Sequence, residues 1–134
     1  MNHFSRFEKL SWVAAVGAGI GLIMASFQLY GGDDYYRYYL PFAQGCFDCG
    51  YVPYFAKWFL LPFPEYPLGW GVWTIISVSG FLILAYFTRI NPLYLFISFP
   101  MLGQIWLGQM DVLIATGLVI FLFSKNDYLR GVGL

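Results

Sequence analysis

Two adjacent carboxylates, Asp33 and Asp34, follow directly on a long apolar stretch and are the side chains best suited to chemistry. A carboxylate can take the proton of a hydroxyl group, which is general-base catalysis. Charged side chains are unfavourable near lipid, so a pair of them at the mouth of an apolar helix indicates a site at the water–membrane boundary. The alternative is that both carboxylates only cap the end of that helix or keep it in contact with water, and have no catalytic role.

A second polar group interrupts the apolar C-terminal part of the chain. It consists of Gln104, Gln109 and Asp111. If the flanking apolar segments meet in a turn, these side chains face one cavity and can donate or accept hydrogen bonds from a sugar or a phosphate. Polar side chains in membranes also join neighbouring helices, and that structural role stays open.

The two cysteines form a Cys-x-x-Cys pair, Cys46 and Cys49. Two cysteines cannot fill a closed zinc site, which needs four ligands, and the strand–helix–strand context of a thioredoxin-like motif is missing. A local disulfide and two free thiols are both compatible with the sequence, the disulfide being permitted in an oxidising compartment. The sole histidine, His3, lies in the charged N-terminal tail, so we expect neither a metal site nor a cofactor.

The composition predicts an integral membrane protein. Hydrophobic residues make up 60% of the 134 residues, aromatic residues 22% and charged residues only 10%, which would leave a soluble domain with too little polar surface. The formal net charge is zero and no basic cluster occurs, so we expect no binding of nucleic acid.

Four apolar segments predict an all-α membrane protein of about four transmembrane helices in a single domain. They cover residues 11–30, 68–87, 92–107 and 110–124. About 20 residues at roughly 1.5 Å each match a hydrocarbon core of about 30 Å. The last two segments are shorter and are separated by a Gly- and Gln-containing turn. One long helix with a solvated tail is the alternative reading of residues 92–123.

The connection formed by residues 31–67 is predicted to be a structured outer loop, because it is too aromatic for a disordered segment. Prolines divide it into short pieces, and residues 54–61 between them fit an amphipathic helix lying on the bilayer surface.

The distribution of charge sets the orientation of the chain in the membrane, since Lys and Arg in short loops stay on the cytoplasmic side. With both termini inside, the inner face holds five basic residues against two acids: Arg6, Lys9, Arg89, Lys125 and Arg130 against Glu8 and Asp127. The sequence therefore predicts a multi-pass protein of the cytoplasmic membrane.

The order of several short motifs resembles the N-terminal part of glycosyltransferase family 87. The motifs are the acidic pair with Tyr38 shortly after it, the aromatic and proline-rich residues 51–64, the Trp-bearing second span, residues 108–114 with the pattern Gly-Gln-x-Asp, and residues 126–134. The resemblance implies a C-type glycosyltransferase fold and a polyprenyl-phosphate sugar as donor. It also implies that Asp34 or Asp33 is the catalytic base, with Asp34 fitting the spacing to Tyr38 slightly better, and that Tyr38 contacts the substrate.

Enzymes of that family continue through many more spans, and residues 131–134 read like the start of another apolar segment. We therefore expect the chain to be a fragment, a truncated product or a small derivative, inactive by itself. A non-catalytic accessory subunit of a larger membrane complex is the alternative. Gly17 and Gly21 form a Gly-xxx-Gly pair on the first span, which suits close helix packing either within the chain or with a partner.

Overall fold

The computed structural model describes residues 5–46, 48, 64–125 and 128, and every regular element in these ranges is a helix. The predicted all-α fold class is thus confirmed for this part of the chain. The predicted surface helix of residues 54–61 lies outside the described residues. On either side of that gap, Tyr35, Tyr39, Phe42 and Tyr66 pack in one cluster with Trp70 and Trp73.

Helix α1 spans Arg6–Ser26 and α3 spans Leu68–Thr88, and both are long and apolar enough to cross a membrane. Helix α1 begins earlier than the apolar pattern indicates because a capping box holds its first turn. The Ser5 hydroxyl accepts the Glu8 backbone N–H at 3.2 Å, and the Glu8 carboxylate accepts the Ser5 backbone N–H at 2.6 Å. Such reciprocal bonds satisfy donors that the helix itself leaves open.

Five shorter helical elements complete the described fold. They are a π-helix at Tyr35–Tyr39, α2 at Leu40–Ala43, α4 at Pro92–Ile97, α5 at Phe99–Leu107 and α6 at Asp111–Phe123. Ser98 is extended and divides α4 from α5. A proline in mid-helix lacks an N–H and collides with the preceding turn, so Pro100 is accommodated only by restarting the helix.

The chain reverses at Gly108, which has a φ of 78°. This left-handed conformation ends α5 and is one that glycine adopts without strain. A single long helix over residues 92–123 is therefore excluded. The pair α4–α5 and the helix α6 occupy nearly the same residues as the two short predicted segments.

Helices α1 and α3 lie antiparallel. At one end, which we call the Trp70 end, the Phe27 ring packs where Gly71 has no side chain. At the other, the Arg89 end, the Asn91 side-chain amide donates to the Ser11 hydroxyl at 3.2 Å. Helices α4 and α5 then run back from Asn91 towards the Trp70 end. Between the two ends lies an apolar core formed by Ala15, Val78, Phe81, Ala85, Leu95, Phe96, Ile105 and Val112.

Helix α6 runs parallel to the second half of α3. The Thr116 hydroxyl lies 3.0 Å from the Gly80 carbonyl oxygen and 2.6 Å from that of Val112. A Cβ at Gly80 would lie 3.1 Å from this hydroxyl oxygen, so the glycine permits the close approach of the two helices. Such small-residue contacts with a shared hydroxyl hydrogen bond are typical of helices packed in membranes.

Candidate functional site

The segment after α1 turns inward at the Trp70 end and is held there by its two glycines. The backbone N–H of Gly32 donates to the Trp106 carbonyl oxygen at 2.8 Å. Gly32 has a φ of 72°, and a Cβ on it would lie 2.5 Å from Cε3 of Trp70. Gly31 is nearly as crowded, because its Cβ would lie 3.1 Å from both Trp70 and Trp106. Only a chain without side chains at these two positions can enter this space.

The turn at Gly108 packs against the same segment, close to Gly32 and Tyr35. A Cβ on Gly108 would lie 3.2 Å from the Gly32 Cα and 3.0 Å from the Tyr35 Cβ. Met110 packs against the same aromatic cluster as Tyr38. The segment that begins at Gly31 and the turn at Gly108, which are far apart in the chain, therefore pack against each other inside the bundle.

The acidic pair opens a short helix that widens into the π-helix. Inside it, Tyr35 and Tyr39 are buried, and both rings pack against Trp73 with centroids 5.4 Å and 5.5 Å apart. The Tyr35 hydroxyl donates to the Pro64 carbonyl oxygen at 3.4 Å. The π-helix is a rare element that occurs frequently at functional sites, and here it fixes the segment that carries both carboxylates.

The two carboxylates differ in their surroundings. Asp33 is paired with Arg37, with 2.7 Å between the carboxylate oxygen and Nε. The side chain of Asp34 is half-buried, and within the described ranges it makes no ion pair and no side-chain hydrogen bond. Asp34 is therefore the carboxylate that is open to a further partner.

Gln104 and Asp111 share a cavity of about 220 Å³ between α3, α5 and α6. Gln109, predicted to join them, does not line this cavity, and neither Asp33 nor Asp34 does. The Gln104 side-chain oxygen is buried without a hydrogen-bond partner in the described part of the chain. The structure thus brings together two of the three residues of the predicted polar group and places the acidic pair elsewhere.

Cys46 is disulfide-bonded, and Cys49 lies outside the described residues, as does His3. Across the described ranges, no group of three or more His, Cys, Asp or Glu side chains is positioned to hold a metal ion.

Tyr38, predicted to contact substrate, is half-buried at the edge of the aromatic cluster. The role of Gly31, Gly32 and Gly108 in joining the two segments was not anticipated from the sequence, although Gly31-Gly32 is visible as a pair directly before the acids.

Burial raises the pKa of Tyr35 from 10.0 to about 12. Its proton is bound more tightly in the folded chain than in the unfolded one, so Tyr35 contributes stability below pH 10 that is lost as the pH rises towards 12. We expect the free energy of unfolding to fall more steeply between pH 10 and 12 in the natural protein than in Tyr35→Phe. Denaturant unfolding in detergent at pH 9 and pH 11 measures this difference, and identical slopes in both proteins would contradict it.

Comparison with protein-family models, with curated proteins and with solved structures gives no match to this chain.

Proposed function

We propose that the chain is the N-terminal membrane part of a glycosyltransferase that moves a sugar from a polyprenyl-phosphate donor to an acceptor at the outer membrane face. One observation carries the proposal. A Cβ on Gly108 would lie 3.2 Å from the Gly32 Cα, so the acidic segment and the Gly-Gln-x-Asp turn pack together at the Trp70 end. Both segments carry the resemblance to glycosyltransferase family 87, and the proposed transfer uses both.

Asp34 is the proposed general base. The reaction requires a carboxylate whose oxygens can accept the proton of the acceptor hydroxyl. The acceptor oxygen then bonds to the anomeric carbon, while the bond from that carbon to the phosphate oxygen breaks and polyprenyl phosphate leaves with the electron pair. The Arg37 guanidinium forms a salt bridge with the Asp33 carboxylate. Asp34 is therefore the better placed of the two carboxylates to accept the proton. Gln104, Gln109 and Asp111 are proposed to contact the sugar or the phosphate, and no nucleotide or cofactor is required.

The proposed topology has four membrane crossings with both termini inside. Charges separate between the two ends of the bundle as the positive-inside rule requires. The Arg89 end carries Arg89 and Lys125 beside one groove and Lys9 nearby. The Trp70 end carries Asp33 and Asp34, with Glu65 just before α3, against Arg37 as its described basic residue, and Glu8 is the described acid at the Arg89 end. This separation supports placing the acidic end outside, where a lipid-linked sugar would be used.

The first experiment is purification of the native chain in a gentle detergent, followed by mass spectrometry of its intact mass and of the lipids and proteins that remain bound. A polyprenyl-phosphate sugar retained by the chain or by its assembly supports the proposal. A stoichiometric complex with other membrane proteins that retains no such lipid and transfers no sugar would overturn it.

That second outcome corresponds to an accessory subunit, which one observation favours. In the described part of the chain, the Gly-xxx-Gly pair of α1 is exposed, because no atom from outside its own helix backbone lies within 4 Å of a Cβ built on Gly17 or Gly21. The residues of α1 that pack inward are instead Ser11, Ala15, Gly19 and Ser26. An outward small-residue face is available to a helix of another subunit.

A further inference from the structure

A groove at the Arg89 end is not used by the proposed transfer reaction. It has a volume of about 420 Å³ and lies between the last turn of α3 and the last turn of α6. Two basic and three aromatic residues dominate its walls. The lining residues are Tyr86, Phe87, Arg89, Phe123, Ser124 and Lys125. Among these residues of the described chain there is no carboxylate, so the groove combines positive charge with an apolar wall.

We propose that this groove binds the phosphate group of an anionic membrane lipid. Arg89 and Lys125 contact the phosphate oxygens, and the rings of Tyr86, Phe87 and Phe123 lie against the glycerol and upper acyl carbons. Basic pockets between membrane helices on the cytoplasmic side suit such head groups. The inference rests on the membrane topology of the proposed function but not on sugar transfer by the acidic end.

Arg89 is held at the groove by an unusual backbone conformation. It caps the C-terminus of α3 with a φ of 60°, and among the described residues it is the one non-glycine residue with a positive φ. Glycine is the usual residue at such a position, and a side chain there is strained. The guanidinium carbon lies 5.7 Å from the centre of the Tyr86 ring. The charge is thus placed on the aromatic wall of the groove.

No described acid neutralises the two cations inside the groove. Neither Arg89 nor Lys125 forms a salt bridge within the described ranges. Glu8 and Arg89 both line a second cavity on the α1 side and their charges attract each other, but among the described residues the two form no salt bridge, and the Glu8 carboxylate accepts the Ser5 backbone N–H. The cations also face the C-terminal ends of α3 and α6, where a positive charge is favourable. A lipid phosphate would therefore bind without displacing an existing ion pair.

The test is native mass spectrometry of the full chain in mild detergent, titrated with phosphatidylglycerol or with phosphatidylcholine. We expect the natural protein to retain phosphatidylglycerol preferentially. Each of Arg89→Gln and Lys125→Gln should weaken that binding about fivefold and the double variant about 25-fold, which corresponds to the usual contribution of one basic residue near a lipid surface. Arg37→Gln, which removes a cation from the opposite end, is the matched control and should leave binding unchanged.

Equal retention of the two lipids, or phosphatidylglycerol binding that the double variant does not weaken, would overturn the proposal. Displacement of the lipid by millimolar inorganic phosphate, with the same dependence on Arg89 and Lys125, would overturn the lipid assignment in favour of a soluble phosphate. If Arg89→Gln does not fold, Lys125→Gln decides alone, because Lys125 lies after the end of α6 and is exposed.

Discussion

Asp34→Asn is expected to lower the rate of sugar transfer by roughly 10²- to 10⁴-fold, the usual contribution of a positioned general base. Asparagine keeps the size of the side chain but cannot take the proton of the acceptor hydroxyl. Because the base acts in the transition state rather than in binding, we expect kcat to fall and KM to change little. The measurement is transfer from a radiolabelled polyprenyl-phosphate sugar, made on the assembly purified from native membranes with the variant chain in place.

Asp33→Asn is the matched control for this prediction. It removes the neighbouring charge and the ion pair with Arg37, whose partners are both substantially exposed. An exposed pair of this kind contributes about 0.2–1 kcal/mol to stability, so Asp33→Asn should retain most of the activity. Loss of transfer in Asp33→Asn alone would assign the base to Asp33. Full activity in both variants would refute the role of the acidic segment altogether.

Gly32→Ala is expected to destabilise the fold by about 2–6 kcal/mol. The new methyl group would lie 2.5 Å from the Trp70 ring, and the φ of 72° is one that alanine rarely adopts. Overpacking of a core contact costs about 1–3 kcal/mol and a strained backbone about 1–3 kcal/mol. Unfolding in detergent, followed by helical circular dichroism, measures the loss. Because Gly32 precedes the acidic pair, this variant should also lose transfer activity.

Gly17→Ala is the control for Gly32→Ala. Gly17 lies inside α1 with open space where a Cβ would stand. Alanine is preferred to glycine in a helix by about 0.5–1 kcal/mol, so this variant should be slightly more stable than the natural protein. A Gly32→Ala variant as stable as Gly17→Ala would mean that the segment after α1 is not held against Trp70.

Much of the helical architecture was predictable because it depends on local patterns. The predicted second span, residues 68–87, differs by one residue from α3, Leu68–Thr88. The short segments 92–107 and 110–124 correspond to α4–α5 and to α6, with Gly108 at the reversal. The first span was displaced, because the capping box at Ser5 extends α1 backwards and its last turn closes at Ser26. Capping is specified by side chains outside the apolar run, so hydropathy alone does not locate it.

The relation between distant residues could not be predicted in the same way. The sequence favoured Asp34 over Asp33 only slightly, and the structure distinguishes them because Arg37 pairs with Asp33 alone. Gln104, Gln109 and Asp111 formed one group in the sequence, but Gln109 lies in the turn between α5 and α6 and does not line the cavity of the other two. Such differences depend on which way each short helix faces, and that is decided by packing.

By itself the sequence determined the helical class, two apolar segments long enough to cross a membrane and the distribution of charged residues along the chain. These properties follow from residue type and spacing, which act over a few turns. Only the tertiary structure decided that Gly32 meets Trp106 and Gly108, and that Arg89 and Lys125 share one groove. Those contacts join residues far apart in the chain, and they form because α1 packs on α3 and α4 while α6 packs on α3.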